Sequence, residues 1–185
     1  MHDLNKKHGV FTEAGTIQFK RLLPGPIERV WDYLTKSELK AKWLAAGDVE
    51  TREGGKAEQY FKHKDLSEED DPVPEKYKVM KDGTYFAGTV LEWDPPKLLK
   101  YTWAGEAGDD SIVTFELTPE KDNKVLLTLT HQKLGDDPDI LSSVGAGWHT
   151  HLGILVDHLN QKAPKGFWSA HTAMEKEYTR ILSSA

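Results

Sequence analysis

The sequence of 185 residues contains no cysteine. Disulfides, thiolate nucleophiles and cysteine-based zinc sites are therefore excluded. The chain also lacks any apolar run near the roughly 20 residues that a membrane-spanning helix needs. Its start, Met1-His2-Asp3-Leu4-Asn5-Lys6-Lys7, has no apolar secretory segment. The expectation is a cytoplasmic, soluble protein with no membrane partner. Positive charge is not in excess either: 24 Lys plus Arg stand against 30 Asp plus Glu, a net charge of -6. Such a surface repels phosphate backbones, which argues against a nucleic-acid partner.

Catalytic and cofactor signatures are equally scarce. No Gly-x-Ser-x-Gly elbow occurs, and Ser142-Ser143 reads as ordinary helix-start chemistry. No phosphate-binding Gly-x-x-x-x-Gly-Lys-Ser/Thr segment is present, and Gly145-x-Gly147 does not follow a strand directly. No His-Glu-x-x-His pattern exists. His149 and His151 fall about 200° apart on a helix, and His151 and His158 about 10 Å apart along it, so neither pair chelates one ion. The expectation is no metal, no cofactor and no assigned catalytic residue.

What the chain does have is ordinary globular usage, 38% hydrophobic and 29% charged, which suits one domain with a sizeable core. Residues 1–15 are polar and aperiodic and read as a flexible lead-in. Thr16 to Leu22 alternates as a half-buried strand, with Ile17, Phe19 and Arg21 on one face. Pro24-Gly25-Pro26 ends it. A helix follows with Ile27, Val30, Trp31 and Leu34 at helical spacing. Ser37 opens a second short helix carrying Leu39, Trp43 and Leu44. Strands are expected near Asp48 to Arg52 and Lys56 to Lys62. The acidic, proline-punctuated stretch from Asp65 to Pro74 reads as an exposed insertion.

From Thr84 the chain becomes strand-dense. Thr84 to Trp93, Leu98 to Trp103, Ser111 to Leu117 and Lys124 to His131 are joined by short turns, among them Gly105 to Asp109. That is an antiparallel meander. The period then changes. Ile140, Val144, Trp148, Leu152, Leu155 and Leu159 recur at helical spacing and predict one long helix from Asp139 to Asn160, weakened by Gly145, Gly147 and Gly153. Ala163-Pro164-Lys165-Gly166 breaks it. A last helix runs from about Phe167 to Leu182 with Phe167, His171, Met174, Tyr178 and Ile181 on one face. The fold class is α+β: about seven strands in one curved antiparallel sheet over the long helix, because a lone first strand cannot satisfy its backbone and the helix stripe needs a concave face.

Three stretches carry a resemblance. Pro24-x-Pro26-x-x-x-Val30-Trp31-x-x-Leu34-Thr35 with Leu39-x-x-x-Trp43 resembles the opening signature of the activator of heat-shock-protein-90 ATPase homologue-like family, of the START-related (SRPBCC) superfamily. Gly88-x-Val90-x-Glu92-x-Asp94-Pro95-Pro96-x-Leu98-x-x-Tyr101-x-Trp103 is similar to its central hairpin. Gly147-Trp148-x-x-x-Leu152-x-x-Leu155-x-x-x-Leu159 is similar to its long helix. The resemblance implies a helix-grip fold over residues 16–162. Residues 163–185 form an appended helix, packed on the same domain or at a dimer contact. The acidic insertion and this helix depart from the family pattern.

The face assignments propose a cavity lined by Phe19, Trp103, Phe115, Leu129, Trp148, Leu152 and Leu155, with Arg21, Tyr101 and His131 as polar anchors. The first functional expectation is binding of a small hydrophobic or aromatic ligand between sheet and long helix. The resemblance also implies two alternatives: a co-chaperone-like contact, with its link to stress response, and a cyclase- or hydrolase-like enzyme using the same cavity. Monomer and homodimer both remain open.

Overall fold

The computed structural model describes residues 3–104 and 110–185. In chain order the regular elements are β1 (Val10–Glu13), β2 (Thr16–Pro24), α1 (Ile27–Thr35), α2 (Ser37–Lys40), β3 (Lys56–Phe61), β4 (Thr84–Asp94), β5 (Leu98–Trp103), β6 (Ser111–Glu120), β7 (Lys124–Gln132), α3 (Pro138–Leu159) and α4 (Phe167–Ser183). The seven strands form one antiparallel sheet in the order β1-β2-β7-β6-β5-β4-β3. The long helix lies against it, and α4 packs along that helix.

Period-two alternation writes the inner face. Ile17 stands opposite His131, which stands opposite Val113, which stands opposite Tyr101. The next row is Phe19, Leu129, Phe115 and Leu99. Every one of these eight side chains is at most 2% exposed. Burying an apolar side chain of this size is worth about 1.5–3 kcal/mol, so these two rows supply a large part of the driving force for closing the sheet on the helix. Gly88 lets β4 pass close to β5: a Cβ there would sit 1.8 Å from the Thr102 carbonyl oxygen.

Helix α3 begins where Pro138 fixes the first turn and the Asp137 carboxylate accepts from the Asp139 amide at 2.9 Å. Its buried side includes Leu141, Trp148, Leu152, Leu155 and Leu159. Gly145 marks where α4 comes closest, since a Cβ there would lie 2.8 Å from the Tyr178 ring.

The structure differs from the sequence expectations at two places. The lead-in is folded: β1 pairs with β2, and Leu4–Lys6 forms a turn whose Asn5 amide bonds both the N–H and the C=O of Leu22, at 2.7 and 2.9 Å. A side chain thus replaces a strand's backbone pairing, which leaves no periodic signal. Asp48 to Arg52 is not a strand. Gly47 turns the chain with φ +115°, and only isolated bridges, Ala46 to Tyr60 and Val49 to Ala57, tie this stretch to β3. The seventh strand is therefore β1. The acidic stretch from Asp65 to Pro74 is irregular and, Leu66 apart, exposed or half-buried, as expected, with short 3-10 turns at either end, His63–Leu66 and Glu75–Met80. The turn expected from Gly105 to Asp109 lies outside the described residues.

Candidate functional site

The acidic insertion and α4 meet. The N-cap residue of α4 is Gly166, which has no side chain to satisfy the helix's first amides. The insertion supplies carboxylates instead: Glu69 Oε2 accepts from the Gly166 amide at 2.8 Å, and Asp71 Oδ2 accepts from the Ser169 amide at 2.9 Å. Further along, the Tyr77 hydroxyl donates to Glu175 Oε1 at 2.8 Å, and Lys76 pairs with the same carboxylate at 2.5 Å. Tyr77 has spent its one hydrogen on Glu175, so Ser143 Oγ, 3.0 Å away, donates to Tyr77. This chain of bonds ties insertion, α4 and α3 together.

Between these elements and the sheet lies a pocket of about 530 Å³, within the usual range for small-molecule sites. The sheet contributes Phe61, Phe86, Trp103 and His131; α3 contributes Ser143, Gly147, Trp148 and His151. The turns flanking the insertion add His63, Tyr77 and Met80, and α4 adds Phe167, Trp168 and His171. The walls are ring on ring: Trp103 lies 4.9 Å from Trp148, Phe86 5.0 Å from Trp103, and His63 4.4 Å from Phe167, centroid to centroid. Among the described lining residues there is no Asp, Glu, Lys or Arg.

His131 is held from both sides. The Trp148 indole N–H donates to its Nδ1 at 2.9 Å, so the neutral ring carries its hydrogen on Nε2, which faces Ser111 Oγ at 3.0 Å. Ser111 in turn donates to the Trp103 carbonyl at 2.7 Å. Burial pushes His131 down to about 3. A weak base with both nitrogens engaged positions Trp148 and Trp103; it does not serve as a proton acceptor.

His151 is oriented differently. Its Nδ1 lies 2.7 Å from the Trp43 carbonyl oxygen. A carbonyl only accepts, so Nδ1 carries the hydrogen and Nε2 holds a lone pair. Burial, with a smaller contribution from His63, lowers His151 to about 3. Burial also lowers His63 to about 4 and holds His171 below its ordinary value, against the pull of Glu175. All four imidazoles are thus neutral near pH 7. Each packs against neighbouring rings, and among the described residues no three His, Asp or Glu side chains gather as a metal site.

Of the residues expected to line a cavity, Trp103, His131 and Trp148 meet in this pocket. Phe115 and Tyr101 lie just behind them, their rings 5.9 Å from Trp148 and 6.2 Å from Trp103. Tyr101 is fully enclosed, and its hydroxyl accepts from Gln59 Nε2 at 3.3 Å. Leu129, Leu152 and Leu155 are solid core with no exposure. Phe19 and Arg21 lie further along the sheet, under the N-terminal segment. There the Phe19 ring fills the space beside Gly9 and lies 6.3 Å from Tyr178. The Arg21 guanidinium is buried, sits 5.5 Å from the Phe19 ring and donates to the Lys20 carbonyl at 2.8 Å. Burial lowers Arg21 to about 10, which leaves it charged. The expected set therefore divides into pocket wall, core and a separate buried arginine. Sequence reasoning missed the insertion and α4 residues. One signal for them was available: the apolar stripe of the last helix contains Phe167 and His171.

Comparison with known proteins places this geometry in a family. The family model described as activator of Hsp90 ATPase homolog 1-like protein matches residues 24–160. The solution structure of the protein encoded by gene BPP1335 from Bordetella parapertussis is 40% identical, covers 92% of this chain and 88% of its own, and superposes with a TM-score of 0.77. CalU16 from Micromonospora echinospora shares the fold at 19% identity and a TM-score of 0.63, covering 90% of this chain and 88% of its own. EF2215 from Enterococcus faecalis, a conserved protein of unknown function, does so at 17% identity and 0.66, covering 95% and 91%. No curated protein matches the sequence. With that match over most of its length, and with a helix-grip fold of the SRPBCC type, the chain belongs to the activator of Hsp90 ATPase homolog 1-like family.

Proposed function

We propose that this protein binds a small, uncharged, largely aromatic molecule in the pocket between the sheet, α3 and α4. The observation that carries this reading is the wall itself: a space of about 530 Å³ faced by aromatic rings in edge-on and tilted contact, with no formally charged side chain among the described lining residues. Apolar walls with a few placed polar atoms are the usual make-up of ligand sites. A charged ligand entering here would lose its hydration without gaining a counter-charge. The SRPBCC-type helix-grip fold fits a ligand-binding domain.

The chaperone-contact reading rests on the family description alone, and catalysis rests on the pocket imidazoles. His131 is occupied on both nitrogens, which weakens the catalytic reading. We place the activity in the cytoplasm, with the apolar stripe of α4 serving its own domain rather than a dimer. The test is a tryptophan-fluorescence titration with an uncharged two-ring aromatic and its sulfonate. Trp103, Trp148 and Trp168 face the pocket, so saturable quenching by the uncharged compound and a much weaker response to the sulfonate are expected. Equal responses, or none that saturates, contradict the reading.

A further inference from the structure

We propose that the pocket selects an uncharged aromatic molecule that carries a hydroxyl or N–H donor, and that the Nε2 lone pair of His151 receives that hydrogen. The inference rests on the ligand-binding reading above and names its ligand class. It follows from an account of hydrogens in the wall. Trp148 gives its indole hydrogen to His131, Tyr77 gives its hydroxyl hydrogen to Glu175, and Ser143 gives its own to Tyr77. Tyr85, at the rim, donates to Glu58 Oε1 at 3.2 Å. His63 Nδ1 and His171 Nδ1 also lack a hydrogen-bond partner, but both atoms are sealed by burial. His151 has its one hydrogen fixed on the Trp43 carbonyl, away from the second ring nitrogen. Among the described residues the Trp43 carbonyl is the one hydrogen-bond partner of the His151 ring.

The surroundings of His151 suit a flat ligand. The Phe167 ring lies 4.7 Å away, the His63 ring 5.6 Å and the Phe61 ring 5.9 Å, centroid to centroid. These rings already pack on His151, so a flat ligand would lie against the pocket side of the cluster and bring an edge substituent toward the imidazole. Desolvation strengthens a hydrogen bond made there, and an acceptor left unmatched is costly. Burial also makes His151 too weak a base to take a proton from a phenol, so the arrangement holds a donor without reacting with it.

The experiment compares 2-naphthol, 2-methoxynaphthalene and 2-naphthoate by calorimetry on the full chain at pH 7.5. The expected result is that naphthol binds about tenfold more tightly than its methyl ether, the worth of one buried neutral hydrogen bond, and that naphthoate binds weakest. His151→Phe should bring naphthol and the ether to the same affinity. Equal affinity for naphthol and ether, a preference for naphthoate, or discrimination that survives His151→Phe overturns the inference while the ligand-binding reading stands. Failure of all three compounds to bind overturns both. Where His151→Phe does not fold, the imidazole nitrogen resonances of the unmodified protein decide. Nε2 of His151 should shift with naphthol and not with the ether, and a shift of the same size with both contradicts the proposal.

Discussion

Three glycines interrupt α3, and they face two different environments. A Cβ at Gly147 or Gly153 meets nothing within 4 Å, whereas one at Gly145 meets the Tyr178 ring at 2.8 Å. Gly147→Ala should therefore stabilise the protein by about 1 kcal/mol through helix propensity alone. Gly145→Ala should destabilise it by about 1–3 kcal/mol, because Tyr178 is fully buried and its hydroxyl holds the Gly9 amide at 2.7 Å. Denaturant melts of the two variants should move in opposite directions. A second residue-scale test concerns His131. Replacing it with Phe leaves the buried Trp148 indole N–H without an acceptor, at a cost of about 1–3 kcal/mol in the same assay; an unchanged midpoint would refute the positioning role. At this scale the sequence was half legible. Alternation placed His131, Tyr101 and Arg21 on the inner face, where all three are buried. It carried no information on depth along the sheet, so it did not separate His131, in the pocket wall, from Arg21, four residues further along the register.

At the scale of elements, the acidic insertion and the last helix form one unit. Read alone, Asp65 to Pro74 has the composition of a solvated loop. Its carboxylates gain their role only because the N-terminus of α4, some 95 residues later, has a capping residue without a side chain, and pattern reasoning along the chain does not connect the two. Asp71→Ala should cost about 1 kcal/mol, the value of a lost N-cap, and the loss should shrink when salt screens the helix dipole. Thermal melts at low and high salt check this; a variant as stable as its parent would show that the cap is incidental. Strands β2 and β4 to β7 and helix α3 were plainly legible, since their periods of 2 and 3.6 persist over many residues. Strand β1 is only four residues long and was not.

For the whole molecule, the neutral histidines set the response to acid. His63 and His149 are lowered to about 4, and His131 and His151 to about 3, in each case chiefly by burial. Above the unfolded value of about 6.5 these rings are neutral in both states and do not bias folding. Below it, the unfolded chain takes up protons that the folded chain refuses. Stability is therefore lost as pH falls from 6.5 toward 4 and then 3, by about 1.4 kcal/mol per pH unit for each ring. Denaturation midpoints measured between pH 8 and 4 should be flat at the top and fall steeply below pH 6. A profile that stays flat to pH 4.5 would mean these rings are solvated.

The pocket itself was the least legible feature, because apolar core and apolar pocket are built from the same residue types. Gly147 gives the most direct access to it. Its position on the pocket wall has room for a side chain, so Gly147→Leu fills the space without disturbing the core. A nitrogen–proton NMR titration with 2-methoxynaphthalene, run on the native chain and on Gly147→Leu, tests the central claim. Saturable shifts centred on Gly147, His151, Phe167 and Trp168 in the native chain, abolished in the variant, are the result expected; shifts that map elsewhere, or that persist unchanged in Gly147→Leu, would contradict it.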